Sequence, residues 1–250
     1  MSTSYNKLIN NLDELKLYTV RENISAYIDM INSNEKTVVD ALYELTQKEK
    51  DIRKERAIIT CIKTAGFPFN KRIDDYDFSF QPSVNRKEME DFVSLRFLEN
   101  NENILFIGSS GVGKTHLATA IGIEAASHRY SVYFISCKEL MNQLKKAENE
   151  GRLEQRLKAF ARHKLLIIDE IGYINLDTEA ANLFFQLISM RYEHKSTIIT
   201  TNKNLSKWGE IFSDSVIANA ILDRLLHHSH IINIIGPSYR TKDILDKLED

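Results

Sequence analysis

The chain has 250 residues, 43% hydrophobic and 27% charged, with a formal net charge of -2, an ordinary soluble balance long enough for one large domain or a main domain with an appendage. Only two cysteines occur, Cys61 and Cys137, and no CxxC pair, which speaks against a zinc site or disulfide framework and for a reducing cytoplasm. The N-terminal stretch carries acids and no long apolar core, unlike a signal peptide, and no run reaches the length of a membrane helix.

Three stretches before residue 65 have helical periodicity. Leu8, Leu12 and Leu15 share one face, as do Ile24, Tyr27, Ile28 and Ile31. Val38, Leu42, Leu45, Ile52 and Ile59 form a seam suited to packing against another helix, with "KEKDIRKER" as a charged outer face. That face is either solvated or a contact for a partner or nucleic acid. The expected organisation is a helical N-terminal domain over residues 1–65, a linker with packing side chains over 66–83 and a main domain over 84–250. The linker rests on Gly66, Pro68, Pro82 and a lack of helical period.

After Pro82 short β-rich runs alternate with amphipathic stretches: Ile104–Ile107, Val132–Ile135, Leu165–Ile168, Thr197–Thr200 and Ile231–Ile235. This pattern predicts an α/β fold with a parallel five-stranded sheet covered on both faces.

Gly108-x4-Gly113-Lys114-Thr115 satisfies the Walker A pattern between a strand and a helix over His116–Ala126. Glycines let backbone N–H groups approach phosphate, and the helix N-terminus adds a favourable dipole. The predicted ATP-binding residues are Gly108, Ser109, Ser110, Gly111, Val112, Gly113, Lys114, Thr115 and His116. Lys114 is placed to bridge the β- and γ-phosphates and Thr115 to ligate Mg2+. In "KLLIIDEIGY" an apolar strand ends at Asp169, a second Mg2+ ligand, and Glu170 is placed to polarise the attacking water.

"STIITTN" ends in Asn202, which would sit between the first strand and the Walker B strand and orient the lytic water, resembling the first sensor of AAA+ ATPases. A turn asparagine is the alternative. Arg224, near the end of a helical stretch, resembles the AAA+ arginine finger that reaches a neighbouring subunit's γ-phosphate. A salt bridge with Asp223 or another acid is the alternative. His227, His228 and His230 read as a helix-end cap and packing, because no further ligand cluster accompanies them in sequence.

Between Lys138 and Lys164 eight Lys/Arg stand against four Glu, a local +4 on two amphipathic helices broken near Gly151. Lys145, Lys146, Arg152, Arg156 and Arg162 are candidates for sequence-independent contact with DNA phosphates. A solvated helix face is the alternative.

"GVGKTHLATAIG", "LLIIDEIGY", "LFFQLISMRYEHKSTIITTNKNLSKWGEIFSD", "ILDRLLHHSH" and "SYR" closely resemble the IstB helper ATPases of bacterial insertion sequences, over nearly the whole chain. The resemblance implies an AAA+ core of the initiator clade, related to DnaC-type helicase loaders and DnaA, behind a small helical N-terminal domain. It also implies ATP-dependent oligomerisation on duplex DNA, active sites completed between subunits and delivery of target DNA to a partner transposase. About fifteen residues follow the last strand, too few for a helical lid, so a lid-borne second sensor is not expected, although Arg240 is placed to substitute. No nuclease-like acidic triad is visible, leaving strand transfer to the partner. The alternative function is a DnaC-like loader of a replicative helicase.

Overall fold

The computed structural model describes residues 3–242. It divides into two compact units, with the division between Thr60 and Cys61. Among the described residues, no helix is long and apolar enough to cross a membrane.

The first unit is built from α1 (Thr3–Glu14), α2 (Tyr18–Asn32) and most of α3 (Val38–Thr64). Its core is small: Leu12, Val20, Tyr27, Ala41 and Leu45. The seam expected along α3 is not the buried one. Val38, Leu42 and Ile59 are each more than half exposed, and the buried stripe is Ala41, Leu45 and Glu49. The reason is local chemistry. The α2 N-terminus has no side-chain cap of its own, and its free N–H groups need an acceptor. Glu49, inside the expected charged outer face, supplies it: Oε2 accepts the N–H of Thr19 at 2.8 Å and of Val20 at 3.2 Å.

The second unit opens with the end of α3 and an irregular run in which only Ile73–Asp75 forms a short 3-10 turn. α4 (Arg86–Val93) and α5 (Arg96–Glu99) lead into β1 (Asn103–Gly108), α6 (Lys114–Ser127), β2 (Val132–Ser136), α7 (Cys137–Asn149) and α8 (Leu153–Ala161). β3 (Leu165–Ile171), α9 (Thr178–Arg191), β4 (Ser196–Thr201), α10 (Trp208–Ile211), α11 (Ser215–Leu226) and β5 (Ser229–Ile234) complete it. Among the described residues only a 3-10 turn at Tyr239–Thr241 follows, and no helical lid.

The five strands pair in parallel in the order β2-β3-β4-β1-β5. Alternate strand residues point to opposite faces. Ile104, Phe106, Ile167 and Ile198 join one core with Leu117 and Ile121 of α6 and Met89 and Phe92 of α4. Leu105, Leu166, Ile168 and Ile199 join the other, with Leu140 of α7, Leu157 of α8, Phe184 of α9 and Ile221 of α11. The result is the three-layer α/β sandwich that the alternating pattern predicts. The α7–α8 break falls where expected, at Gly151 with φ +66°.

Candidate functional site

β4 separates β3 from β1, so the carboxyl ends of these three strands lie side by side. This is where open parallel sheets place their ligands. The loop after β1 closes through Lys114, whose ammonium donates to Gly108 O at 2.7 Å and Ser109 O at 2.6 Å. Gly113 sits at φ +97°, and a Cβ there would come within 2.5 Å of the Tyr76 ring, so glycine is required on both counts. Burial pushes the Lys114 ammonium down from its ordinary value, Arg240 adds to the shift, and Asp169 and Glu170 oppose it. Lys114 and Arg240 thus face one cavity, in which an anion would relieve their repulsion. Ser110 through His116 all line that cavity, together with Glu170, Thr200 and Arg240. Gly108 and Ser109 contribute their carbonyls to Lys114 from the rim.

Asp169 is buried near the end of β3, and burial raises its carboxyl above the usual range against hydrogen bonds that lower it. Those bonds come from two hydroxyls. Thr115 Oγ1 lies 3.0 and 3.1 Å from the two carboxylate oxygens, and Thr200 Oγ1 donates to Oδ1. Glu170, next along, is exposed and has φ +64°, a left-handed conformation costly for a residue with a side chain. The β3–β4 register is irregular between Ile168 and Ile171, and the Glu170 N–H is taken by Thr200 Oγ1 at 3.0 Å. The bulge turns the Glu170 side chain out of the strand and into the cavity lining.

Two stretches contribute more than the sequence discloses. Residues 66–83 belong to the second unit and supply Phe69, Lys71, Tyr76, Asp77 and Gln81 to the cavity. Tyr76 is buried, donates to Val112 O at 3.0 Å and has its phenol pushed up to about 12 by burial. His116 packs edge-on against Tyr76 and Phe69, with Nε2 at 3.0 Å from Arg72 O, and burial pushes its imidazole below the ordinary value. From the other end of the chain, Tyr239 N donates to Gly111 O at 2.9 Å, and Ser238 occupies the space a Gly111 side chain would need. The two stretches clasp each other: Gln81 Nε2 donates to Pro237 O at 2.6 Å, and Lys242 pairs with Asp77 at 2.8 Å. The aromatics of 66–83 were the available signal, and they read equally well as core.

The remaining candidates divide. Asn202 lies beyond the end of β4 beside Gly172, outside the residues lining the cavity, and its Oδ1 is buried without a hydrogen-bond partner among the described residues. Arg224 does not line the cavity of its own chain. Its guanidinium stacks over Phe185 at 4.5 Å and donates to Ala220 O at 3.1 Å, and no salt bridge to Asp223 forms. Lys145 pairs with Asp177 at 2.6 Å and Arg152 pairs with Glu150, while Lys146 is exposed on α7. Arg156 bonds Gln143 and lies over Phe160, and Arg162 follows the end of α8. The histidines also separate. His230 pairs with Glu102, whereas Glu193 joins His227 and His228 on the surface, a carboxylate that sequence proximity does not reveal.

Comparison with known proteins places this geometry. A model of the IstB-like ATP binding protein family matches residues 10–246. The putative ATP-binding protein of insertion sequence IS232 from Bacillus thuringiensis subsp. berliner is 52% identical over 250 residues, covering 100% of both chains. Among solved structures, the DnaC helicase loader is 27% identical with a TM-score of 0.56, covering 67% of this chain and 98% of that one. AMPPCP-bound DnaA from Aquifex aeolicus, 18% identical, superposes with a TM-score of 0.58 over 74% of this chain and 56% of its own and shows the shared fold. Matched over nearly its whole length, the chain belongs to the family of IstB-like ATP-binding proteins of insertion sequences.

Proposed function

We propose that this protein is an ATPase that assembles on duplex DNA in an ATP-dependent manner and presents target DNA to the transposase of its insertion sequence. The observation that carries the ATPase reading is the hydrogen-bonded chain Thr115–Asp169–Thr200–Glu170, which ties the loop residue after Lys114 to the two acids at the end of β3. Asp169 and Thr115 offer hard oxygen donors 3.0 Å apart, a set that suits Mg2+. Thr115 and Asp169 would hold that ion, which would supply positive charge against the phosphates.

The chain's own residues do the rest. Lys114 swings its ammonium from the Gly108 and Ser109 carbonyls to the phosphates, regaining charge stabilisation that burial denies it. Glu170 accepts a proton from the attacking water, and Asn202, just beyond the end of β4 beside the Walker B strand, helps orient that water. Arg240 adds positive charge beside Lys114 in the role of a second sensor. Arg224, outside its own chain's cavity, serves the cavity of a neighbouring subunit, so hydrolysis requires assembly. Unpaired basic side chains of the α7–α8 region supply the sequence-independent grip on DNA.

The test is sizing of the protein by light scattering with ATP, with and without duplex DNA, followed by capture of the transposase encoded beside it. Growth of the assembly only with both ATP and DNA is the expected result. A protein that stays monomeric on DNA but binds a replicative helicase would replace this reading with a loader of the DnaC type, whose structure the core resembles.

A further inference from the structure

The five cations of the α7–α8 segment do not form one surface. Lys145 and Arg152 are matched to their own acids, Asp177 and Glu150. Arg162, and Arg156 whose guanidinium also bonds Gln143 of α7, line a separate cleft of about 410 Å³ at the β2 edge of the sheet, where Arg129 joins them from the turn after α6. These three arginines line the cleft with no carboxylate among its lining residues, and none of the three is ion-paired among the described residues.

The walls strengthen that charge. Phe160 carries the Arg156 guanidinium over its ring at 4.6 Å, which holds the cation in place at low entropic cost. Tyr133 stacks on His163 at 5.3 Å and tilts against Phe160 at 5.8 Å, giving a continuous aromatic floor. Burial, with Arg162 and Arg191 nearby, pushes His163 down to about 4, so the floor itself is neutral at physiological pH. The C-terminal carbonyls of α8 would ordinarily set a negative dipole end beside the cleft. Arg191, fully buried, takes them up: its Nη1 donates to Phe160 O and Ala161 O at 3.2 Å and to His163 O at 2.9 Å. The cleft is therefore a basic, partly aromatic groove with no lining carboxylate, and the carbonyls at the end of α8 behind it are taken up by Arg191.

We infer that this cleft is where the protein holds the sugar–phosphate backbone of DNA, with Arg129, Arg156 and Arg162 on successive phosphates and the sugars against Tyr133. The inference rests on the DNA-binding reading above and narrows it, moving the contact from the α7 surface to the β2 edge and adding Arg129. Guanidinium forks match phosphate oxygens two at a time, and an apolar aromatic floor suits deoxyribose better than it suits the carboxylates of an acidic peptide.

The test compares two double variants of the full chain with wild type, by fluorescence anisotropy on a labelled duplex with ATP across a salt series. Arg129→Gln with Arg162→Gln alters two exposed side chains. It should weaken binding at least tenfold at low salt and reduce the slope of log affinity against log salt by about 2, since each phosphate contact contributes about 0.9. Lys145→Gln with Arg152→Gln should leave the slope within experimental error of wild type. A slope lost in the second pair and kept in the first overturns the cleft and restores the α7 surface. Wild type that binds no duplex at any salt overturns the DNA reading itself, a distinct failure.

A second measurement is independent of those variants. Cys61 lines the cleft, whereas Cys137 is buried and its thiol is pushed up to about 12 by burial, so a thiol-directed photocrosslinker attaches at Cys61. The labelled protein should crosslink to duplex DNA on irradiation. Absence of crosslinks from protein that remains bound, protection of Cys61 by inorganic phosphate alone, or loss of poly-glutamate binding rather than DNA binding in the Arg129/Arg162 variant would each assign the cleft to another ligand.

Discussion

The hydroxyl of Thr200 donates to Asp169 Oδ1 at 2.5 Å, joining the end of β4 to the carboxylate at the end of β3. The same oxygen accepts the N–H of Glu170 at 3.0 Å. One side chain therefore orients one acid and pins the left-handed backbone that aims the other. Thr200→Val keeps the shape and removes both bonds. An unsatisfied buried partner costs about 1–3 kcal/mol, and about 1.4 kcal/mol is tenfold in rate. ATP turnover should fall roughly tenfold or more while equilibrium nucleotide affinity changes only a few-fold, and Thr200→Ser should recover most of it. Wild-type turnover in the valine variant would remove Thr200 from the mechanism.

Lys114→Ala should abolish nucleotide binding, not merely hydrolysis. The ammonium is half-satisfied by two loop carbonyls and held beside Arg240, so its removal takes away the central positive charge of the loop. Titration with a fluorescent ATP analogue is the measurement, and unchanged affinity would refute the assignment of the loop.

Glu170→Gln separates binding from chemistry. Its backbone position is set by Thr200, so the amide keeps the geometry and loses the ability to take a proton. ATP binding should persist, turnover should drop by about two orders of magnitude, as for loss of a general base, and the ATP-bound assembly on DNA should outlive that of wild type. Normal turnover, or an assembly no longer-lived than wild type's, would count against the role given to this residue.

The parts of the site that the sequence discloses are those encoded locally. The glycine spacing around Lys114 and the apolar run before Asp169 each lie within one strand–loop unit, and the five strands stand out as apolar runs between amphipathic ones. Thr200 was hidden because its role exists only through the adjacency of β3 and β4 and the irregular register at Ile168/Ile171. Tyr76 and Ser238 meet the loop from 36 and more than 100 residues away, and nothing in "DDYDF" or "GPSYR" reveals which loop they will cover. In α3 the apolar seam misled for a related reason. Packing there follows the small Ala41 and the acceptor Glu49, so Val38 and Leu42 stay on the surface. Arg129 was missed because sequence counting stops at the α7–α8 segment, whereas the cleft draws on the turn after α6 as well.

Glu49 gives the last prediction, for stability rather than catalysis. Its carboxylate is 5% exposed and accepts the Thr19 and Val20 amides, while Oε1 takes the Arg53 Nε at 2.8 Å. Burial alone would raise its carboxyl, but the bonds from Arg53, Val20 and Thr19 outweigh burial and leave it below the ordinary value. A carboxyl lowered on folding contributes stability that is present above its unfolded value, about 4.3, and lost as pH falls through the lower folded value. Glu49→Gln keeps the size and removes the charge from the start of α2. Loss of a charged acceptor is worth about 1–3 kcal/mol. At pH 7 the Thr19 and Val20 amides should therefore exchange with solvent deuterium roughly ten- to a hundredfold faster than in wild type. Once the pH falls through that lowered folded value the two proteins should converge, because wild type loses the same charge by protonation. Equal exchange at pH 7, or a difference that persists unchanged into acid, would show that α2 is capped by something other than this carboxylate.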